Sequence, residues 1–136
     1  MKMIYKHGDL LQYSRIVTQN DIAAFESGTV HHVYSTFALT RDAEWSGRLF
    51  VLNMKEAHEE GIGTMITVVH KSPAFIGQEV TFIARFEEIT EKGEIITSFE
   101  AFVGERLVAS GKQGQRILQV SKLETHFQSL ENDNRA

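Results

Sequence analysis

Three side chains in this 136-residue chain have the chemistry of acyl transfer: the hydroxyl of Thr36, the carboxylate of Glu44 and the imidazole of His70. Such a site needs one group that attacks or orients and another that moves protons, and these residue types supply both. Their contexts carry more information than their presence. Thr36 stands in Val33-Tyr34-Ser35-Thr36-Phe37, at the start of a predicted helix, and Glu44 lies two turns along that helix. His70 closes the strand-like run Gly61-Ile62-Gly63-Thr64-Met65-Ile66-Thr67-Val68-Val69-His70. A site of this composition is built across a helix and a sheet.

Each of the three also has a plain structural reading. Thr36 can serve as an N-cap, accepting a backbone N–H two or three residues on. Glu44 and Arg48 are spaced i,i+4 in the orientation that favours a surface ion pair. His70 shares strand parity with Ile62, Ile66 and Val68, which suits a partly buried histidine; an imidazole desolvated near a carboxylate is also a tunable base. On a regular strand Gly63 faces away from His70, so its contribution to a site would come from its main chain. Gly47 sits in mid-helix, where glycine costs about 1 kcal/mol relative to alanine, so a packing or functional reason is expected there.

Other chemistries find no support. Gly61-Ile62-Gly63 is not a dinucleotide fingerprint, because position 66 is Ile and no strand precedes it, and there is no P-loop. His31-His32 and His58-Glu59-Glu60 offer metal-capable atoms without ligand spacing such as HExxH. Neither a metal site nor a cofactor is expected.

The elements that must position these groups follow from periodicity and turn chemistry. Leu10 to Val17 reads as a strand, and Thr18 as the N-cap of a short helix through Phe25, with Glu26-Ser27-Gly28-Thr29 as loop. Ser35 or Thr36 caps a long helix to about His58, stopped by Gly61. Four strands follow: Ile62 to His70, then one in which Val80, Phe82, Ala84 and Phe86 alternate, then Ile95 to Val103 after the turn Glu91-Lys92-Gly93-Glu94, then Leu107 to Val120. Ser121 to Leu130 reads as an amphipathic helix, with Glu131 to Ala136 frayed. The expectation is an α+β fold, an antiparallel sheet of about five strands wrapped around one long helix.

Composition sets the bounds. At 15.4 kDa, with 42% apolar and 24% charged residues, the chain suits a single domain, residues 1–136, with a real hydrophobic core. A net charge of −4 with scattered lysines and arginines argues against a nucleic-acid surface. There is no cysteine, so thiolate chemistry and disulfides are excluded. The first residues lack an apolar h-region, and no stretch approaches the roughly 18 apolar residues of a membrane span. A cytoplasmic protein is expected.

Taken jointly, Val33-Tyr34-Ser35-Thr36, Glu44-Trp45, Gly63-Thr64, His70, Pro73 and Gly77, with Gln115-Arg116 near the end, resemble the fluoroacetyl-CoA thioesterase-like branch of the hot-dog-fold acyl-CoA thioesterases. The resemblance implies hydrolysis of an acyl-CoA thioester without metal, with Thr36, Glu44 and His70 catalytic. It also implies that the backbone of Gly63 lines the site and that Arg116 helps to hold the substrate. A homodimer formed edge to edge, with the site between subunits, is implied too, and tetramers also occur in the fold. Where the fluoroacetyl-specific enzyme carries an aromatic lid, this chain has Val30-His31-His32, so a different small or medium acyl group is as compatible. One or more of Lys71, Lys112 and Arg116, cations near the ends of the predicted site strands, is expected to meet the nucleotide of CoA or the substrate carbonyl.

Two alternatives stand beside hydrolysis. One is a hydratase acting on enoyl or hydroxyacyl thioesters, although Asp42 has no histidine a turn later. The other is a non-catalytic module that binds acyl-CoA or a small ligand, since a fold alone does not fix function.

Overall fold

The computed structural model describes residues 1–135; Ala136 lies outside the described residues. Its centre is a 19-residue helix, α1 (Thr36–Met54), whose buried positions include Leu39, Ala43, Gly47, Phe50 and Met54. Their three- and four-residue spacing makes one continuous stripe toward the sheet. Five antiparallel strands wrap that stripe: β1 (Leu10–Ile16), β4 (Glu59–His70), β5 (Glu79–Ile89), β6 (Ile95–Val103) and β7 (Arg106–Gln119). They lie in the order β1-β5-β6-β7-β4, which leaves β1 and β4 as the edges. Apolar side chains from alternate sheet positions, such as Phe82, Phe99, Ala101 and Ala109, close on Leu39 and Ala43 to form the core.

Between β1 and α1 the structure departs from the expected short helix. Only one 3-10 turn forms, at Gln19–Asp21, followed by a separate hairpin of β2 (Ile22–Phe25) and β3 (Gly28–Tyr34). Thr18 does cap that turn: Asp21 N–H donates to its carbonyl at 3.0 Å, and its own N–H and hydroxyl both donate to Asp21 Oδ2 at 2.9 Å. The helix cannot continue because the chain reverses at Gly28, whose φ of +110° suits glycine, and the β-branched run after it favours extended backbone.

One further boundary resolves between the two residues expected for it, and two others move. The N-cap of α1 is Ser35, whose hydroxyl accepts from Ala38 N–H at 2.9 Å, so Thr36 is freed from capping. The helix ends at Met54, about one turn short of His58, and Gly61 lies inside β4 rather than stopping α1. A Cβ on Gly61 would come 2.5 Å from Val51 Cγ1, so that glycine lets the strand approach the helix. At the other end, α2 runs from Val120 to Arg135, through the stretch expected to fray.

The most consequential departure is inside β4. Gly63 pairs with Gln115 but Met65 with Gly114, so Thr64 is an extra residue. Such a bulge reverses side-chain parity. Ile66, Val68 and His70 therefore face α1 together with Gly63 and Gly61, while Ile62 and Thr64 do not share that face. The expectation that Gly63 points away from His70 is corrected by this single residue. Among the described residues, no helix is long and apolar enough to cross a membrane.

Candidate active site

α1 runs antiparallel to β4, and two contacts between them involve the expected catalytic residues. At its N-terminal end Thr36 Oγ1 lies 3.0 Å from His70 Nδ1. His70 is half-buried, and its Nε2 is buried with no hydrogen-bond partner among the described residues. Burial pushes the imidazole below the ordinary histidine range, with the Ser72 backbone opposing it, so His70 is held neutral near pH 7 and able to accept a proton. Two turns along the helix, Glu44 reaches over β4: a Cβ on Gly63 would come 2.9 Å from Glu44 Oε1. The absence of that Cβ lets the carboxylate rest against the strand, and both residues are exposed.

The expected ion pair between Glu44 and Arg48 does not form. Arg48 turns instead to Glu60, at 2.7 Å, and to the Gly61 carbonyl. Glu44 is left facing an open cleft of about 390 Å³, lined also by Tyr13, Arg41, Asp42, Trp45 and Arg48. His70 is not part of that cleft. Eight residues of helix separate Thr36 from Glu44, about 12 Å at 1.5 Å per residue. Within one chain the hydroxyl–imidazole pair and the carboxylate–glycine pair are therefore separate clusters.

Arg116 lies elsewhere. It sits beside Gln115 but on the outer face of the sheet, where its guanidinium donates to the Lys92 carbonyl, near the hydroxyl–carboxylate contact of Thr64 with Glu94. The structure does not bring it to Thr36 and His70. Lys112 is also on the outer face, while Lys71 is exposed next to His70. Glu56, His58 and Glu59 come close enough to share a cation, but both carboxylates there hold the N-terminal ammonium, at 2.9 and 2.7 Å.

Sequence reasoning missed the buried charges that anchor this end of the helix. Asp21, fully buried, accepts from Arg15 at 2.8 Å and from Arg41 at 3.0 Å. Asp42 accepts from Arg41 Nε at 3.1 Å and from the hydroxyl of Tyr34, with Arg15 Nε 3.2 Å away. Two guanidinium groups balance two carboxylates, joining β1, the hairpin and α1. Burial works to raise the Asp21 pKa, but the hydrogen bonds of Thr18, Arg15 and Arg41 outweigh it and hold the group well below the usual carboxylate range. Tyr34 is pushed far up, by burial and by its bond to Asp42. Asp42 is thus occupied by structural partners, in keeping with the missing hydratase pattern.

A sequence model for the family described as fluoroacetyl-CoA-specific thioesterase (FlK) matches residues 17–121. The chain belongs to this family. It is accordingly a thioester hydrolase with the hot-dog fold, acting on acyl-CoA. A hypothetical protein of Thermus thermophilus, described as a thioesterase superfamily member, is 30% identical, with a TM-score of 0.89 over 96% of each chain. A point mutant of FlK superposes with a TM-score of 0.83 at 18% identity, over 94% of this chain and 98% of that one. A hot-dog-like protein from Thermanaerovibrio acidaminovorans gives 0.83 at 17% identity, over 92% of each chain. No curated protein sequence matches.

Proposed function

We propose that this thioesterase hydrolyses a small or medium acyl-CoA at a site shared between two subunits, with Glu44 from one and Thr36 and His70 from the other. One observation carries the reading: the two clusters flank β4, an edge strand whose outer side is unpaired, and both lie on its helix-facing side. In this scheme Glu44 either takes a proton from a water that adds to the thioester carbonyl carbon, or attacks that carbon itself to give an acyl–Glu44 anhydride that water then cleaves, regenerating the carboxylate. The C–S bond breaks, and the His70 imidazole, oriented by Thr36, moves the proton that the CoA sulfur takes up. Complexes of FlK with fluoroacetate and CoA, and with acetyl-CoA, support a CoA thioester as the substrate class. The exposed Gly63 leaves its main chain free to line the acyl end. The Arg116 of each subunit, on the outer face beyond the Thr64 bulge, is placed for the nucleotide end of CoA rather than the carbonyl.

Pairing two copies of β4 about a two-fold axis would satisfy the open edge. Opposed residues in an antiparallel pair share a face, so the register must bring inward positions opposite inward ones. With Thr67 on the axis, Ile66 opposes Val68 of the partner subunit. Once the bulge at Thr64 is passed, Gly63 then opposes His70 of the partner subunit, beneath Glu44. Registers shifted by one residue pair along each strand lose that match.

Release of free CoA from a panel of acyl-CoAs, read with a thiol reagent, tests the activity and ranks the acyl groups. Tight binding without release would favour the binding-module alternative. The register has its own test, made clean by the lack of native cysteine. Thr67→Cys is expected to give a disulfide-linked dimer on mild oxidation, since opposed Cα atoms about 4.5–5.5 Å apart suit a disulfide. A protein that is dimeric by light scattering yet does not cross-link through Thr67→Cys would rule the register out.

A further inference from the structure

The floor beneath the Glu44 turn is unexpectedly polar. Gln113 and Gln115 on β7 are both 2% exposed, and Thr97 on β6 is 3% exposed, yet all three point at α1, where an apolar side chain would ordinarily pack. Burying amides is costly unless they are bonded. Gln113 is fully engaged: its Nε2 donates to the carbonyl of Glu44 at 3.0 Å and to that of Ala43 at 3.2 Å, and its Oε1 accepts from Gln115 Nε2 at 3.0 Å. The Ala43 carbonyl also accepts from Ser46 Oγ at 2.7 Å. Gln115 Oε1 is left buried without a partner.

Gly47 explains how the strand comes so close. A Cβ there would lie 1.7 Å from Gln113 Nε2 and 2.7 Å from Thr97 Oγ1. One turn of α1 thus carries a mid-helix glycine, two of its carbonyls held from outside the helix, and an incompletely bonded amide beneath it. The glycine and the unpartnered Gln115 oxygen each cost stability, and local costs concentrated in one place mark a functional constraint.

We infer that Gln113 is a positioning residue for Glu44: it clamps the main chain at residues 43 and 44 to the sheet, and so sets the height and rotation at which the carboxylate meets Gly63. The role rests on the catalytic reading of Glu44 and extends it to a residue that touches no substrate. Gly47 is the space that the clamp requires.

Gln113→Met keeps approximate volume and removes both donated bonds. It is expected to lower kcat for acyl-CoA release by roughly 10- to 100-fold, the scale of a misplacement near 1 Å, with KM changed less than about threefold. The same substitution in a Glu44→Gln background is expected to change the residual rate less than about twofold, because its effect runs through the carboxylate. Equal fold losses in both backgrounds would make Gln113 a general structural residue and overturn the inference, as would full kcat in the single variant. Should Gln113→Met fail to fold, Gln113→Met/Gln115→Met replaces both members of the amide pair, and the same comparison is made with it. Full turnover by Glu44→Gln alone would instead sink the catalytic reading, whatever Gln113→Met does.

Discussion

Glu44→Gln is expected to retain the fold while losing acyl-CoA turnover by on the order of 10²- to 10⁴-fold, the range for removal of a positioned acid–base group. Among the described residues the carboxylate makes no ion pair that the substitution would break, and Arg48 is committed to Glu60. It is exposed, so its loss opens no cavity. It lies against Gly63 on β4, whose missing side chain leaves room for the amide. A fall in kcat with unchanged melting temperature is therefore the expected pattern, and a variant with near-parental kcat would remove Glu44 from the chemistry. The pH profile supplies an independent check through His70. Burial lowers the imidazole pKa, so the active neutral form persists to lower pH than for a free histidine. Activity should fall on the acid side with a midpoint below about 6.5, the ordinary histidine value, as the ring gains its proton. His70→Gln should abolish that limb together with most of the rate. An acid limb that survives His70→Gln unchanged belongs to another group.

The second large effect concerns stability. Asp21→Asn removes one of two buried carboxylates held by the partly exposed Arg15 and Arg41, leaving both guanidinium groups to share Asp42. Removing one partner of a fully buried pair costs about 3–5 kcal/mol; with the guanidinium groups partly in solvent the cost here should be about 2–3 kcal/mol, lowering the melting temperature by on the order of 10 °C. The pH dependence has a definite sign. The Asp21 carboxyl is depressed on folding, so its contribution is complete above the unfolded value of about 3.9 and is lost as pH falls below that toward the folded value. Parental protein should therefore lose stability steeply below about pH 4, while Asp21→Asn should lose it less steeply from a lower plateau. Chemical denaturation at pH 7 and pH 3 measures both. A change under about 1 kcal/mol at pH 7 would show that the network is solvated and contributes little. Ser35 N–H donates to the Asp21 carbonyl at 2.8 Å, so the same cluster fixes where α1 begins and hence where Thr36 meets His70.

The local pattern of the chain already carried the long helix, the five strands of the main sheet and the identity of the residues that the joint motif singles out. Periodic apolar positions are a property of neighbouring residues, and α1 and β5 through β7 follow them closely. Gly47 announced a close approach in mid-helix without saying what approached. Which residue fills that space is a fact of strand order: β7 lies beneath α1, sixty-odd residues away in sequence, and only pairing with β6 and β4 brings Gln113 under Glu44. The face on which Gly63 sits depended on Thr64, because a bulge is a two-against-one mismatch between strands and leaves no mark in a period-two pattern. Nothing in the local pattern marks Arg15, Asp21, Arg41 and Asp42 as partners; burial of the two carboxylates makes them an anchor, and burial is decided by what folds over a residue. The separation of Thr36–His70 from Glu44–Gly63 was equally invisible, since two helical turns and a strand length become distances only when both elements take their positions against one another.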